Sequence, residues 1–266
     1  MFVIMTGSSG VGKNTIINEL KKIDENFVLM PTYTTRAMRE GEVEGNPYFF
    51  LTKEQFQEKI HNNKLLEHEL IHTNYYGSSI ELLDQYLQTG KIIIKDIGVQ
   101  GAQNLYKKLS DRTQVIRVFL TVKSKSILKE RLIGRNEKNI KLRLKRFGYE
   151  QKQINKFDYI IYNHDMRKTI DCILQITNLT VDDFLPCKNI KNINKYKVKL
   201  YTNKLKLGKI IKPIKIVLAD GKAYITKGVE RFVASVITGI PVGKVVADKQ
   251  VKRKIDVPEK WYKNII

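Results

Sequence analysis

Gly7-Ser8-Ser9-Gly10-Val11-Gly12-Lys13-Asn14-Thr15 limits what this chain can fold into more than any other stretch. It lies between the apolar run Phe2–Met5 and a helical pattern from Thr15 to Ile23. A short buried strand, a Gly-rich turn and a helix start aim successive backbone N–H groups and the positive end of the helix dipole at one point, where a phosphate is stabilised. Lys13 brings an ammonium to the same point. Gly7, Gly12 and Lys13 satisfy the Gly-x4-Gly-Lys spacing, whereas Asn14 stands where Ser or Thr is usual and Thr15 comes one residue later. With no ligand the same residues would form an ordinary Gly-rich turn, so the motifs that follow must decide.

Strand and helix patterns alternate after this loop. Phe27–Met30, Tyr48–Leu51, Ile92–Asp96, Val115–Val122 and Tyr159–Asn163 read as strands, the last of these as the final strand of the sheet. Thr52-Lys53-Glu54-Gln55 has the residues of a capping box opening a helix to about Asn62, and a helix over Ile80–Gln88 is closed by Gly90. Ser124 to about Lys156 is helical and basic, carrying Arg131, Arg135, Arg143 and Arg146. Such alternation implies a parallel sheet, whose ligands sit beyond the carboxyl ends of the strands. Asp96 ends one of those strands. A carboxylate there suits the water shell of a magnesium ion, and the competing role is a turn cap.

Composition narrows the setting. Cys172 and Cys187 form no disulfide framework and no metal-ligand spacing, and no apolar stretch approaches the roughly 20 residues of a membrane span, so a reduced cytoplasmic location is expected. Met1–Met5 is too short for a signal peptide and reads as the first core strand. His61, His68, His72 and His164 show no ligand spacing. Residues 186–266 hold 20 Lys or Arg against 5 Asp or Glu, a net +15 of the chain's +21. That asymmetry points either to a polyanionic partner or to a solvated basic surface.

The ordered motifs resemble those of the guanylate kinase family over about residues 1–180. They are the Gly7–Thr15 loop, Thr34-Thr35-Arg36-Ala37-Met38-Arg39-Glu40-Gly41-Glu42, Tyr48, Glu67, Asn74-Tyr75-Tyr76-Gly77-Ser78, Asp96-Ile97-Gly98-Val99-Gln100-Gly101 and Gly134-Arg135. The resemblance implies an α/β fold of the P-loop NTPase type: a parallel sheet with an inserted base-binding region and a helical lid. A small C-terminal α+β domain would follow, with limits of 1–185 for the kinase-like domain, 186–195 for a linker and 196–266 for the basic tail. The implied activity is transfer of the γ-phosphoryl group of ATP, with Mg2+, to a purine nucleoside monophosphate such as GMP, dGMP or a modified-base relative. Two alternatives stand beside it: a catalytically silent binding or scaffold protein on the same fold, and a kinase acting on a modified base within nucleic acid.

Carried over residue by residue, the loop Gly7, Ser8, Ser9, Gly10, Val11, Gly12, Lys13, Asn14 and Thr15 would bind ATP. Arg36, Arg39, Tyr48 and Tyr76 would grip the acceptor phosphate, and Arg135 and Arg143 would close from the lid. Asp96 would serve the magnesium shell, with Thr15 contributing through water. Forked guanidiniums suit that work, because phosphoryl transfer needs chiefly positioning and charge stabilisation. Arg146 reads as part of a solvated basic face. For the base, Thr32, Glu67 and Ser78 would supply contacts, but Gly98 stands where the family has an Asp that accepts from the exocyclic amine. One acceptor is therefore missing, and a relaxed or shifted acceptor range is expected. The lid is also short, with eight steps from Arg135 to Arg143.

In the tail, Asp220–Ala234 has the order turn, strand, turn, helix, and a strand at Lys244–Ala247 follows. With Gly228-x-x-Arg231-x-x-Ala234, this resembles the nucleotide-binding core of the ParB and sulfiredoxin superfamily over about 196–250. The resemblance implies a phosphate at Gly228 reached by Arg231, while a nucleic-acid or second-nucleotide partner for this part of the chain rests mostly on its charge. Tyr224, Trp261 and Tyr262 are the candidate stacking rings.

Overall fold

The computed structural model describes residues 1–71, 73–187, 190–247 and 260–265. His72, two residues of the expected linker (188–189) and 248–259 and 266 of the expected tail domain lie outside the described residues. Contacts group Met1–Gly7 with Lys13–Arg117 in one unit, and Ser8–Gly12 with the described residues from Val118 onward in another.

In the first unit the elements are β1 (Phe2–Thr6), α1 (Lys13–Ile23), β2 (Phe27–Leu29), β3 (Thr32–Thr34), β4 (Val43–Glu44), β5 (Pro47–Phe50), α2 (Lys53–His61), β6 (Leu65–Ile71), β7 (Asn74–Ser79), α3 (Ile80–Gln88), β8 (Ile92–Asp96) and α4 (Val99–Leu109). β1 pairs in parallel with β8, and β8 with β2. Every residue of β1 is buried, as a strand covered on both faces requires. Ile16, Ile17 and Leu20 of α1 and Ala102, Leu105 and Leu109 of α4 supply apolar faces at helical spacing. The inserted module is a second sheet in the order β4-β5-β3-β7-β6. α2 forms the expected capping box: Thr52 Oγ1 accepts from the Gln55 N–H at 3.1 Å, and Gln55 Oε1 accepts from the Thr52 N–H at 2.9 Å. Phe56 on α2 is fully buried and stacks on Tyr75 with ring centroids 5.3 Å apart.

In the second unit β9 (Val115–Thr121, from Val118) is followed by α5 (Lys125–Ile133), α6 (Ile140–Gln151), β10 (Tyr159–Tyr162), α7 (Met166–Asn178), β11 (Phe184–Pro186), α8 (Lys195–Lys206), β12 (Ile214–Ala219), β13 (Lys222–Lys227), α9 (Val229–Thr238) and β14 (Lys244–Val246). The strand order is β9-β10-β14-β12-β13-β11. β10 is therefore not the final strand, as its sequence position suggested. β14 runs parallel along its other side, with Tyr159 opposite Lys244 and Ile160 opposite Val245. The cause is hydrogen-bond satisfaction: a buried apolar strand needs partners for its backbone on both edges, and the tail supplies them. β11, which straddles the expected 185/186 boundary, pairs with β13, and Pro186 sits on the outermost strand of this order, where a missing N–H is tolerated.

Candidate active site

The first unit carries the residues expected at the acceptor. Lys13, the first residue of α1, donates to the Gly7 carbonyl at 2.6 Å and lies 3.8 Å from Asp96 Oδ1. Asp96 is opposite Met5 at the carboxyl ends of β8 and β1. Burial pushes its carboxyl up from the usual range, while Lys13 and Lys95 pull it back. Asn14 and Thr15 are exposed on α1.

Arg36 follows β3. Its guanidinium donates to Glu42 at 2.7 Å and to the Ala37 carbonyl at 2.7 Å, with the Tyr48 ring 5.2 Å and the Phe50 ring 5.5 Å from its central carbon. The hydrogen bond to Glu42 raises the Arg36 pKa and holds the Glu42 carboxyl below its usual range. The Tyr48 and Tyr76 rings meet edge-on at 6.2 Å, and burial raises the Tyr48 pKa. Arg39 has an exposed side chain, and its backbone N–H donates to Glu42 at 2.8 Å. Glu42 thus organises both arginines from within a motif that assigned it no role.

Glu67 and Ser78 are cross-strand neighbours on β6 and β7, and Ser78 Oγ donates to Glu67 Oε1 at 2.6 Å. Burial raises the Glu67 pKa. Glu67 also lines a cleft of about 410 Å³ with Leu65, His68, Asn104, Lys107 and Lys108. Thr32 Oγ1 accepts a 2.7 Å hydrogen bond from Lys95 Nζ. Nothing in the motif spacing singles out Lys95; a charged residue inside an otherwise apolar strand, Ile92-Ile93-Ile94-Lys95, is the signal that could have found it. Gly98 caps α4 with ordinary extended backbone, φ −66° and ψ 163°, and offers no side-chain bond.

The second unit holds Ser8–Gly12 and the lid helices. Gly12 adopts φ +101°, a conformation that strains any side chain, and a Cβ there would also crowd Asn163 Nδ2 at 2.6 Å. Asn163 Nδ2 donates to the Val11 carbonyl at 2.8 Å, and Arg131 donates to the carbonyls of Val11 at 3.3 Å and Asn163 at 2.8 Å. Arg131, present in the sequence only as one basic residue among four, therefore braces the loop. Ser8 Oγ donates to buried Glu150, which also accepts from Arg146 at 3.1 Å. Arg146 is thus tied to the carboxylate that holds Ser8. Arg135 is exposed in the turn after α5, and Arg143 on α6 lies 3.6 Å from Glu137.

Farther along, Gly228 adopts φ +96° before α9 and Arg231 folds back against it, donating to the carbonyls of Lys212 at 2.6 Å and Pro213 at 2.9 Å. The expected stacking rings are a correction: Trp261, Tyr262 and Tyr224 are 1%, 4% and 6% exposed. Trp261 Nε1 donates to the Phe184 carbonyl at 2.7 Å and its ring stacks on Phe232, so apolar burial has taken these aromatic faces into the core. His61, His68 and His164 are exposed, and among the described residues no three His, Cys, Asp or Glu side chains gather into a metal cage. No helix of the described residues is long and apolar enough to cross a membrane.

The family model for guanylate kinase matches residues 1–178. A guanylate kinase of Helicobacter hepaticus is 38% identical over 177 residues, covering 65% of this chain and 88% of the relative. One from Rickettsia felis is 38% identical over 179 residues, covering 66% and 92%. The crystal structure of guanylate kinase from Anaplasma phagocytophilum superposes with a TM-score of 0.53 at 28% identity, over 66% of this chain and 83% of that one.

Proposed function

Because the chain belongs to the guanylate kinase family, we propose that it transfers the γ-phosphoryl group of ATP to a purine nucleoside monophosphate, giving the diphosphate. The observation that carries this reading is Lys13 beside Asp96, 3.8 Å apart, where the carboxyl ends of two parallel strands meet. In our reading Gly7–Thr15 receives the donor phosphates on its backbone N–H groups, and Lys13 bridges them. Arg36, Arg39, Tyr48 and Tyr76 hold the acceptor phosphate. Arg36 exchanges its bond to Glu42 for the incoming dianion, a charge-assisted substitution that keeps the guanidinium oriented before substrate arrives. Arg135 and Arg143 are assigned to the charge on the transferred group. Thr32, Glu67 and Ser78 are assigned to the base.

Magnesium, when bound with ATP, supplies charge neutralisation on the phosphates. A nucleotide-bound magnesium keeps several waters and takes few protein oxygens, so the single half-buried carboxylate of Asp96, with the exposed Thr15 hydroxyl, fits it. A silent scaffold would have no use for Lys13, Asp96, Arg36, Arg39 and Arg135 together. The test is coupled phosphorylation of all common ribo- and deoxyribonucleoside monophosphates with ATP and magnesium. Purine monophosphates should turn over at least about 100-fold faster than with Lys13→Ala, which removes the bridging charge. No turnover above that variant would sink the reading.

For residues 196–266 we propose a separate role as a basic appendage that contacts a nucleic acid or second nucleotide through its phosphates. Its net charge supports this, with limits of 1–185, 186–195 and 196–266 for catalytic part, connection and appendage. Arg231 already serves two carbonyls, so the charge, rather than the Gly228 turn, carries that reading.

A further inference from the structure

We propose that a cavity between α7 and the strands β10, β14 and β12 is a second ligand site, taking a phosphomonoester dianion on a small organic body, and that its occupant acts on the phosphate loop. The cavity has a volume of about 470 Å³, within the roughly 300–1,000 Å³ of small-molecule sites. Every residue lining it belongs to the second unit. β9, β10, β14 and β12 run parallel side by side, and Lys123 just after β9, Tyr162 ending β10, Val246 ending β14 and Leu218 near the end of β12 all line the space. Ligands of a parallel sheet gather at such carboxyl ends. No residue of Gly7–Thr15 lines it, nor does any residue assigned to the acceptor, the base or the lid.

The lining chemistry selects the class of ligand. Lys123, Lys168 and Lys215 reach the same cavity from a loop, a helix and a strand, with Asp171 as the acidic lining residue. Three cations against one carboxylate leave a net +2, which complements a phosphomonoester near pH 7. Ile161, Leu218 and Val245 give an apolar wall for the body that carries the phosphate. The space stays open for a physical reason. Lys168, Asp171, Cys172 and Gln175 recur at helical spacing on the side of α7 that lines it, whereas Ile170, Ile173 and Ile176 of the same helix are buried. Closing that side onto β14 and β12 would bury charge, so an anionic occupant fits where packing does not. Thr169 also lines the cavity, and its hydroxyl lies 3.0 Å from Asn163 Oδ1 and 2.8 Å from the Asp165 carbonyl, two acceptors for one proton. Asn163 Nδ2 in turn donates to the Val11 carbonyl at 2.8 Å. An occupant that engages Thr169 redirects this proton and so alters the amide that braces the phosphate loop. That the loop receives ATP rests on the kinase reading.

The test is equilibrium binding of the common ribonucleoside monophosphates, ribose 5-phosphate and inorganic phosphate to the full chain, with ATP binding measured with and without each, for wild type and Lys123→Glu/Lys215→Glu. At least one phosphomonoester should bind wild type and shift the ATP Kd by about fivefold or more. The double variant should weaken that ligand at least about 30-fold, bind ATP alone as wild type does, and lose the shift, which a shift caused by acceptor-site occupancy would survive. Thr169→Val should keep ligand binding within about tenfold and lose the shift, and Thr169→Ser should keep both. Tighter binding of a nucleotide than of ribose 5-phosphate identifies a nucleotide as the occupant, and equal binding identifies a sugar phosphate. Inorganic phosphate bound as tightly as either, binding untouched by the charge reversal, or an ATP Kd that no ligand shifts each overturns the proposal. Should the double variant not fold, Lys215→Gln must weaken the ligand about tenfold, and unchanged binding there overturns the proposal equally. The coupled assay keeps the two readings apart: turnover without a charge-sensitive phosphomonoester site removes this proposal alone, and a site that shifts ATP binding without turnover removes the kinase reading alone.

Discussion

Lys95 shows what one residue can cost and supply. Its ammonium is enclosed on β8, with the Glu67 and Asp96 carboxylates as the charged groups that act on it. Because burial lowers its pKa to about 8, the folded chain gives up this proton before the unfolded chain does. Between about pH 8 and 10 the unfolded state binds more protons, so stability rises with pH across that window and is lost again as pH falls through 8. The displacement corresponds to about 3 kcal/mol. Urea unfolding at pH 7 and pH 10 should show wild type gaining stability relative to Lys95→Met, and an equal pH response of the two would show that the ammonium is not desolvated. Gly12 shows the opposite economy. Its positive φ and the approach of Asn163 disfavour a side chain, and this requirement was legible because a glycine directly before the lysine of a phosphate loop marks a turn that a Cβ would strain. The bracing of the same loop by Arg131 and Asn163 was not legible, since neither lies within a hundred residues of it in sequence.

Among the elements, local signals were the readable ones. The α2 capping box, the closure of α3 by Gly90 and the apolar strands β1 and β8 depend on neighbours a few residues apart, and they lie where the pattern put them. α4 carries no side-chain cap, because Gly98 has none to offer. β14 depends on partners distant in sequence, with β10 on one side and β12 on the other. A chain ending at residue 185 would leave the outer edge of β10 bare, and an exposed buried-type strand edge pairs with other chains. We expect such a truncation to associate in a concentration-dependent way and to melt several degrees lower, at about 2–4 °C per kcal/mol lost. A monomer with unchanged Tm would show that β10 does not rely on the tail. The same pairing makes an isolated 186–266 fragment a poor test of what the appendage binds.

For the whole molecule, the uneven charge is the property to test. The net +15 of residues 186–266 predicts that the full chain binds single-stranded and duplex nucleic acid, with affinity falling steeply between 50 and 200 mM salt, by about 10³-fold if some six phosphates are contacted. Salt-insensitive or absent binding by fluorescence anisotropy would reduce that charge to a solvated surface. Stacking would not rescue it, because Trp261, Tyr262 and Tyr224 are buried. The sequence by itself determined the phosphate loop, the alternation that makes a parallel sheet and the ordered motifs of the family, all of which are written in spacings of a few residues. Only the tertiary structure decided that Lys95 reaches Pro31 and Thr32 and that the tail shares a sheet with β10. The reason is physical: a hydrogen bond between groups 60 or more residues apart, such as Lys95 to Thr32 or Trp261 to Phe184, leaves no periodicity in the chain. Burial alone brings such partners together.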